Sequence, residues 1–124
     1  MQSYGLIVEG EPKGKGRPRF TRQGHAYTPN ETREYEKRIR DAYEGPKFEN
    51  AVYVNIIAYY QMPKKTKSFF PMKKPDLDNI AKIILDSLNG VAYDDDKQVV
   101  RLLVVKYWTT DYPRVEIRLK EWGE

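Results

Sequence analysis

Cysteine is missing from the chain altogether, and histidine occurs once, at His25, among 124 residues. The first absence excludes disulfides, thiolate metal centres and a cysteine nucleophile. The second argues against zinc, whose sites draw on histidine and cysteine. A resident metal would therefore need carboxylate ligands, which favour hard cations such as Mg²⁺ or Mn²⁺. Long apolar runs are scarce too. The longest, "AVYVNIIAYY" at 51–60, is far short of the roughly 20 residues that span a bilayer. The N-terminal "MQSYGLIVEG" lacks the basic region and apolar core of a signal peptide. These features predict a cytoplasmic protein with no membrane partner. Neither repeats nor a long linker interrupt the chain, so a single domain over 1–124 is expected.

Charge is present in quantity and unevenly placed. The formal net charge is +4. Residues 11–40 carry nine Lys/Arg against four Glu, and residues 62–74 carry five Lys and no acid. Residues 76–96 reverse the sign, with six Asp against Lys82 alone. An acidic knot between basic segments suits a site that grips phosphates around a metal.

The hydrophobic pattern predicts strand, helix, strand, helix and two closing strands. "SYGLIVEG" alternates as a short first strand, and the Gly/Pro-rich basic stretch after it reads as a loop or loose hairpin. "NETREYEKRIRDAY" reads as a helix capped by Asn30 or Thr32, with Tyr35, Ile39, Ala42 and Tyr43 facing the core. In "AVYVNIIAYYQM", Val52, Val54, Ile56, Ala58 and Tyr60 share one strand face, and Tyr53, Ile57 and Tyr59 make the other nearly as apolar. Leu77, Ile80, Ala81, Ile84, Leu85 and Leu88 form a helical stripe that ends at Asn89-Gly90. "QVVRLLVVKYW" and "RVEIRLKEW" read as the last strands. The expected fold is α+β, a mixed layer in which two main helices pack on a single sheet of about four strands.

Two readings of "KPDLDNIAK" at 74–82 compete. In the first, Asp76 or Asp78 caps the helix that follows Pro75, and Asp78 pairs with Lys82 one turn on. In the second, Asp76 and Asp78 project to the same side of an extended entry and hold a cation. The acidic turn Asp94-Asp95-Asp96 follows that helix. Spacing alone leaves open whether the turn returns to Asp76 and Asp78. If it does, the cluster needs a cation to neutralise it, as metal-dependent phosphodiester hydrolysis requires.

The longer stretch "KPDLDNIAKIILDSLNGVAYDDDKQVV" resembles the signature of the RusA family of Holliday junction resolvases: a D-L-D-N-x-x-K helix, D-x-L, a glycine turn and D-D-x-Q-V. It covers about a quarter of the chain. "GKGRPRFTRQGHAYTP" is similar to the basic arm of phage and prophage members. The resemblance implies an Mg²⁺- or Mn²⁺-dependent homodimer that nicks four-way DNA junctions symmetrically. It assigns metal binding to Asp76, Asp78 and Asp96, with Asp95 assisting, and catalysis to these aspartates and Lys82. Asp94 falls outside the D-D pair when Gln98-Val99 anchors the match. The short "SLNGVAY" turn leaves the choice between Asp95 and Asp96 open. Asp86 fits the pattern but lies eight residues past Asp78, too far along the helix to join the metal, so a supporting role is expected.

Lys13, Lys15, Arg17, Arg19 and Arg22, spaced by Gly and Pro, are candidate phosphate contacts, as are Lys73 and Lys74 and, beside them, Lys64, Lys65 and Lys67. Phe69-Phe70 could wedge between bases at a junction or anchor its loop. "GEPKGKG" is no P-loop, since Gly16 stands where Ser/Thr would hold magnesium, and Ile80-Ala81 breaks any EF-hand loop. A non-catalytic DNA-binding module and a flap or single-strand nuclease remain as alternatives.

Overall fold

The computed structural model describes residues 2–66 and 68–122. Nine elements run in the order β1 (Ser3–Glu9), β2 (Arg19–Phe20), β3 (Ala26–Tyr27), α1 (Asn30–Ala42), β4 (Val52–Gln61), α2 (Leu77–Leu88), a 3₁₀ turn (Asp96–Gln98), β5 (Val99–Thr109) and β6 (Arg114–Glu121). The predicted α+β architecture is what forms. Four strands make one mixed sheet in the order β1-β6-β4-β5, and β2-β3 is a small separate hairpin inside the basic arm.

One rung shows how the sheet is built. Leu6 pairs with Ile117, Ile117 with Ile56, and Ile56 with Val104. The first two pairings are antiparallel and the last is parallel. A parallel neighbour demands a crossover, and α2 supplies it. The alternation read from sequence puts Val52, Val54, Ile56, Ala58 and Tyr60 under the helices, joined by Val115, Ile117 and Leu119 of β6 and Leu6 and Val8 of β1. Tyr35, Ile39 and Tyr43 descend from α1, and Ile80, Ile83, Ile84 and Leu88 from α2. Both helices thus cover one face. The other face leaves Tyr53, Ile57 and Tyr59 only partly covered.

Two details of the helices differ from expectation. Leu77 is exposed, because it begins α2 beyond the reach of the core, and Ile83 takes a buried place instead. Neither predicted cap of α1 acts as one. Pro29 occupies the N-cap position, and the buried Thr32 side chain accepts a bond from the Gly16 N–H at 3.2 Å. The helix starts where proline fixes the backbone, and Thr32 fastens the arm to it. At the far end of α2, Gly90 takes φ +79°, a left-handed turn that glycine adopts without strain.

Ile56 has no exposure and sits mid-strand under both helices. Ile56→Ala should cost about 2–5 kcal/mol of unfolding free energy in a urea titration, the range for a buried cavity of this size.

Candidate active site at the two ends of helix α2

The Gly/Pro-rich arm forms one wall of the site. It does not hang free. The Lys15 N–H donates to the Asn79 carbonyl at 3.0 Å, and the Tyr60 hydroxyl donates to the Pro12 carbonyl at 3.1 Å. Gly14 makes this docking possible, since a Cβ there would stand 2.6 Å from Pro75 Cβ and 3.0 Å from Asn79 Cβ. Between the arm and the entry to α2 lies a cleft of about 1030 Å³. Lys13, Lys15, Arg17 and Arg19 line one side, and Lys74, Pro75, Asp76 and Asn79 the other.

Asp76 occupies the N-cap position of α2 with extended backbone, φ −71° and ψ 158°, yet makes no side-chain cap bond. Asp78 follows in the first turn, and both are exposed. Among the described residues neither joins an ion pair. The capping account of this stretch therefore fails for Asp76, and the Asp78–Lys82 pair does not form. Lys82 Nζ turns the other way, to Asp86 Oδ2 at 3.6 Å. Asp86 Oδ2 also accepts Lys15 at 3.3 Å, and Lys15 meets Glu36 Oε2 at 2.8 Å. Burial works against the charge on Lys15, but Glu36 and Asp86 outweigh it and raise its pKa. The chain Glu36–Lys15–Asp86–Lys82 is thus continuous from α1 through the arm to α2. Lys15 serves as a fastener here, while Lys13, Arg17, Arg19 and Arg22 remain exposed.

The second basic loop divides in the same way. Lys73 meets Glu11 at 3.4 Å and lies over the Tyr60 and Trp108 rings, whereas Lys64, Lys65 and Lys74 point outward. Lys67 falls outside the described residues. Phe69 is 94% exposed, and Phe70 leans on Tyr107 with ring centroids 5.9 Å apart. Sequence reasoning missed Lys106. From β5 its ammonium donates to the Lys73 carbonyl at 2.7 Å and the Pro75 carbonyl at 3.0 Å, pinning the backbone that carries Asp76. The available signal was a lone charge on the helix side of an otherwise apolar strand.

The remaining acids lie elsewhere. Asp94 pairs with Lys47 at 2.6 Å. Asp95 caps the 3₁₀ turn, accepting from the Lys97 N–H at 2.9 Å, and this bond holds its carboxyl below the usual range. Asp96 is pushed the other way, first by burial and then by the neighbouring Asp95 and Asp86 carboxylates. Its other neighbour is Asn89, the C-cap of α2. So Asp95 and Asp96 stand at the C-terminal end of α2 and Asp76 and Asp78 at its N-terminal end. A 12-residue helix separates them by about 18 Å. One chain does not gather the four acids, and no group of three His, Cys, Asp or Glu able to hold a metal forms among the described residues.

The chain matches the family model described as "Endodeoxyribonuclease RusA" over residues 9–120. It belongs to the RusA family. Members of that family are endodeoxyribonucleases that act on branched DNA junctions. The chain is also similar to the uncharacterized protein YqaN of Bacillus subtilis (strain 168), with 32% identity and 98% of each chain covered. In this RusA-family chain the D-L-D-N-x-x-K segment opens α2 at the cleft, and of the D-D pair Asp95 caps the turn into β5 and Asp96 begins it.

Two outcomes test this geometry. Gly14→Ala should lift the arm from Pro75, so that limited proteolysis within residues 11–25 accelerates several-fold while the Tm falls less than in Ile56→Ala. Asp96→Asn should raise the Tm at neutral pH. A carboxyl whose folded pKa is raised favours its neutral form, so its contribution to stability is greatest below the ordinary carboxylate range and is lost as pH rises through the folded value. The gain should be at most about 4 °C, which roughly 1 kcal/mol of relieved surface repulsion gives a domain of this size, and should vanish near pH 3.

Proposed function

We propose that this protein is a metal-dependent, structure-selective endonuclease that resolves four-way DNA junctions by paired symmetric nicks, acting as a homodimer. The supporting observation is Asp76, which lines a cleft whose rim carries Lys13, Arg17, Arg19 and Lys74, with Asp78 beside it in the first turn of α2, neither carboxylate joining an ion pair among the described residues. Acids beside a phosphate-attracting surface repel the substrate unless a cation sits between them. Their hard oxygen donors fit Mg²⁺ or Mn²⁺, and Asp96 is the third carboxylate the family pattern assigns. A bound divalent ion supplies Lewis-acid polarisation of the phosphoryl group and a more acidic water.

The chain's own residues do the rest. Lys13, Arg17, Arg19, Arg22 and Lys74 neutralise phosphates and set the strand along the cleft. Lys82 Nζ, exposed and 3.6 Å from Asp86 Oδ2, would stabilise the charge that develops on the phosphorus oxygens or the departing oxygen. Lys106 fixes the Pro75 carbonyl and so the position of Asp76.

The deciding assay incubates a labelled synthetic four-way junction, a flap and a linear duplex with the protein, in Mg²⁺, Mn²⁺ or EDTA. Paired symmetric nicks are expected in the junction alone and only with metal. Asp78→Asn should lower cleavage by at least about 100-fold while junction affinity in EDTA stays within a few-fold. Tight junction binding without a nick in either metal would make the protein a binding module. Preferential cutting of the flap would reassign the substrate.

A further inference from the structure

The face of the sheet turned away from the helices has a chemistry of its own. Alternation along β4 places Tyr53, Asn55, Ile57 and Tyr59 on it, opposite the buried Val52, Val54, Ile56, Ala58 and Tyr60. Register carries the same face into both neighbours. Tyr53 stands between Arg101 of β5 and Lys120 of β6, and Asn55 lies beside Arg118. Trp122, just past the end of β6, stacks on Tyr53 with ring centroids 5.6 Å apart and planes at 27°. The Arg101 guanidinium lies over the Tyr53 ring, 5.3 Å from its centroid. Trp122 is 46% exposed, and Arg101, Arg118 and Lys120 are exposed as well. Among the described residues these cations join no ion pair. Glu121 is occupied elsewhere, accepting from the Glu49 and Asn50 N–H groups at 2.9 and 3.1 Å. The far end of the face differs, because there Arg114, over the Tyr59 ring, is neutralised by Glu116 at 2.8 Å.

We propose that the stacked Tyr53–Trp122 pair binds single-stranded DNA, with an unpaired base on the exposed indole and phosphates on Arg101, Arg118 and Lys120. A base offers its flat face only when it is unpaired and unstacked, since neighbouring base pairs cover it in a duplex. An aromatic pair on an open sheet meets that face, and the Arg101 guanidinium plane extends the platform. Cations flank the rings on both sides. β5 and β6 lie about 4.8 Å to either side of β4, so the Arg101 and Lys120 backbones stand about 10 Å apart across Tyr53. A strand crossing the rings therefore meets positive charge before and after its stacked base. An apolar partner fits less well, because it would bury these cations without a counter-charge. The polymer is DNA because the family acts on DNA. The surface shares no residue with the cleft beside Asp76, so both can be occupied together. It is independent of the metal-dependent reading above.

Fluorescence anisotropy in EDTA tests it, using a labelled oligothymidylate of about 12 nucleotides. Trp122→Ala should weaken binding by roughly 5-fold or more, the loss of one stacked base. Arg118→Ala should flatten the slope of log affinity against log salt by about 0.7, the loss of one phosphate contact on a single strand. Far-UV circular dichroism should not change in either variant, since both side chains are exposed. Location is read separately. With 5-iodouracil in place of thymine, irradiation should cross-link the strand to Tyr53 or Trp122, mapped by mass spectrometry. Cross-links confined to residues 11–25 would overturn the proposal and move the strand to the basic arm. Unchanged affinity in both variants, or no binding by the wild type, would overturn it as well. Self-association that Trp122→Ala abolishes in sedimentation velocity, without single-strand binding, would assign the face to a second copy instead. None of these readouts needs a metal or a nick, so they stand or fall apart from the endonuclease assay.

Discussion

Parallel strands β4 and β5 are adjacent in the sheet, and the chain can join them only by travelling back along it. Helix α2 makes that journey, and its direction distributes the chemistry. The loop after β4 delivers Asp76 and Asp78 to one end of the helix, and the turn into β5 delivers Asp95 and Asp96 to the other. Burying Ile80, Ile83, Ile84 and Leu88 holds the helix to the sheet at roughly 1.5–3 kcal/mol for each side chain. That energy also fixes where Lys82 and Asp86 project. The packing that makes the core thus sets the spacing of the acids.

The basic arm depends on the same helix. Without α2 there is no Asn79 carbonyl for the Lys15 N–H, no Pro75 against which Gly14 closes, and no Asp86 for the Lys15 ammonium. A Gly/Pro-rich segment has little tendency to order itself, so its course is set by these few contacts and by Thr32 and Tyr60. The result divides the cations by role. Lys15 and Lys73 neutralise acids of the protein, and Lys13, Arg17, Arg19, Arg22 and Lys74 are left toward solvent.

Much of this was legible in the sequence where periodicity decides the outcome. Alternation in 52–60 and 115–119 placed the sheet core, and the helical stripe after Pro75 placed α2, because burial of one face is what those patterns encode. The D-L-D-N-x-x-K segment was legible as well, since spacing along a continuous helix is fixed. The ion-pair partner of Lys82 was not. Asp78 and Asp86 are both four residues away, and the structure pairs Lys82 with Asp86, which also meets Lys15. Nor could spacing show that the acidic turn stays at the far end of α2, because a return of the chain fixes direction only once the strand order is known.

Two features of the fold run against stability considered alone. Asp76 sits where a capping bond is available and does not make it, and β5 presents an apolar edge where charge would protect it. Local rules broken without compensation inside the chain are expected where something outside it supplies the missing partner. For Asp76 the function proposed above would supply a cation as that partner, and β5 has one edge that no strand covers among the described residues. Lys106 joins the two, since the residue that fixes the Pro75 carbonyl stands on the same strand whose edge is open. Any partner that orders β5 would therefore stiffen the support of Asp76 as well.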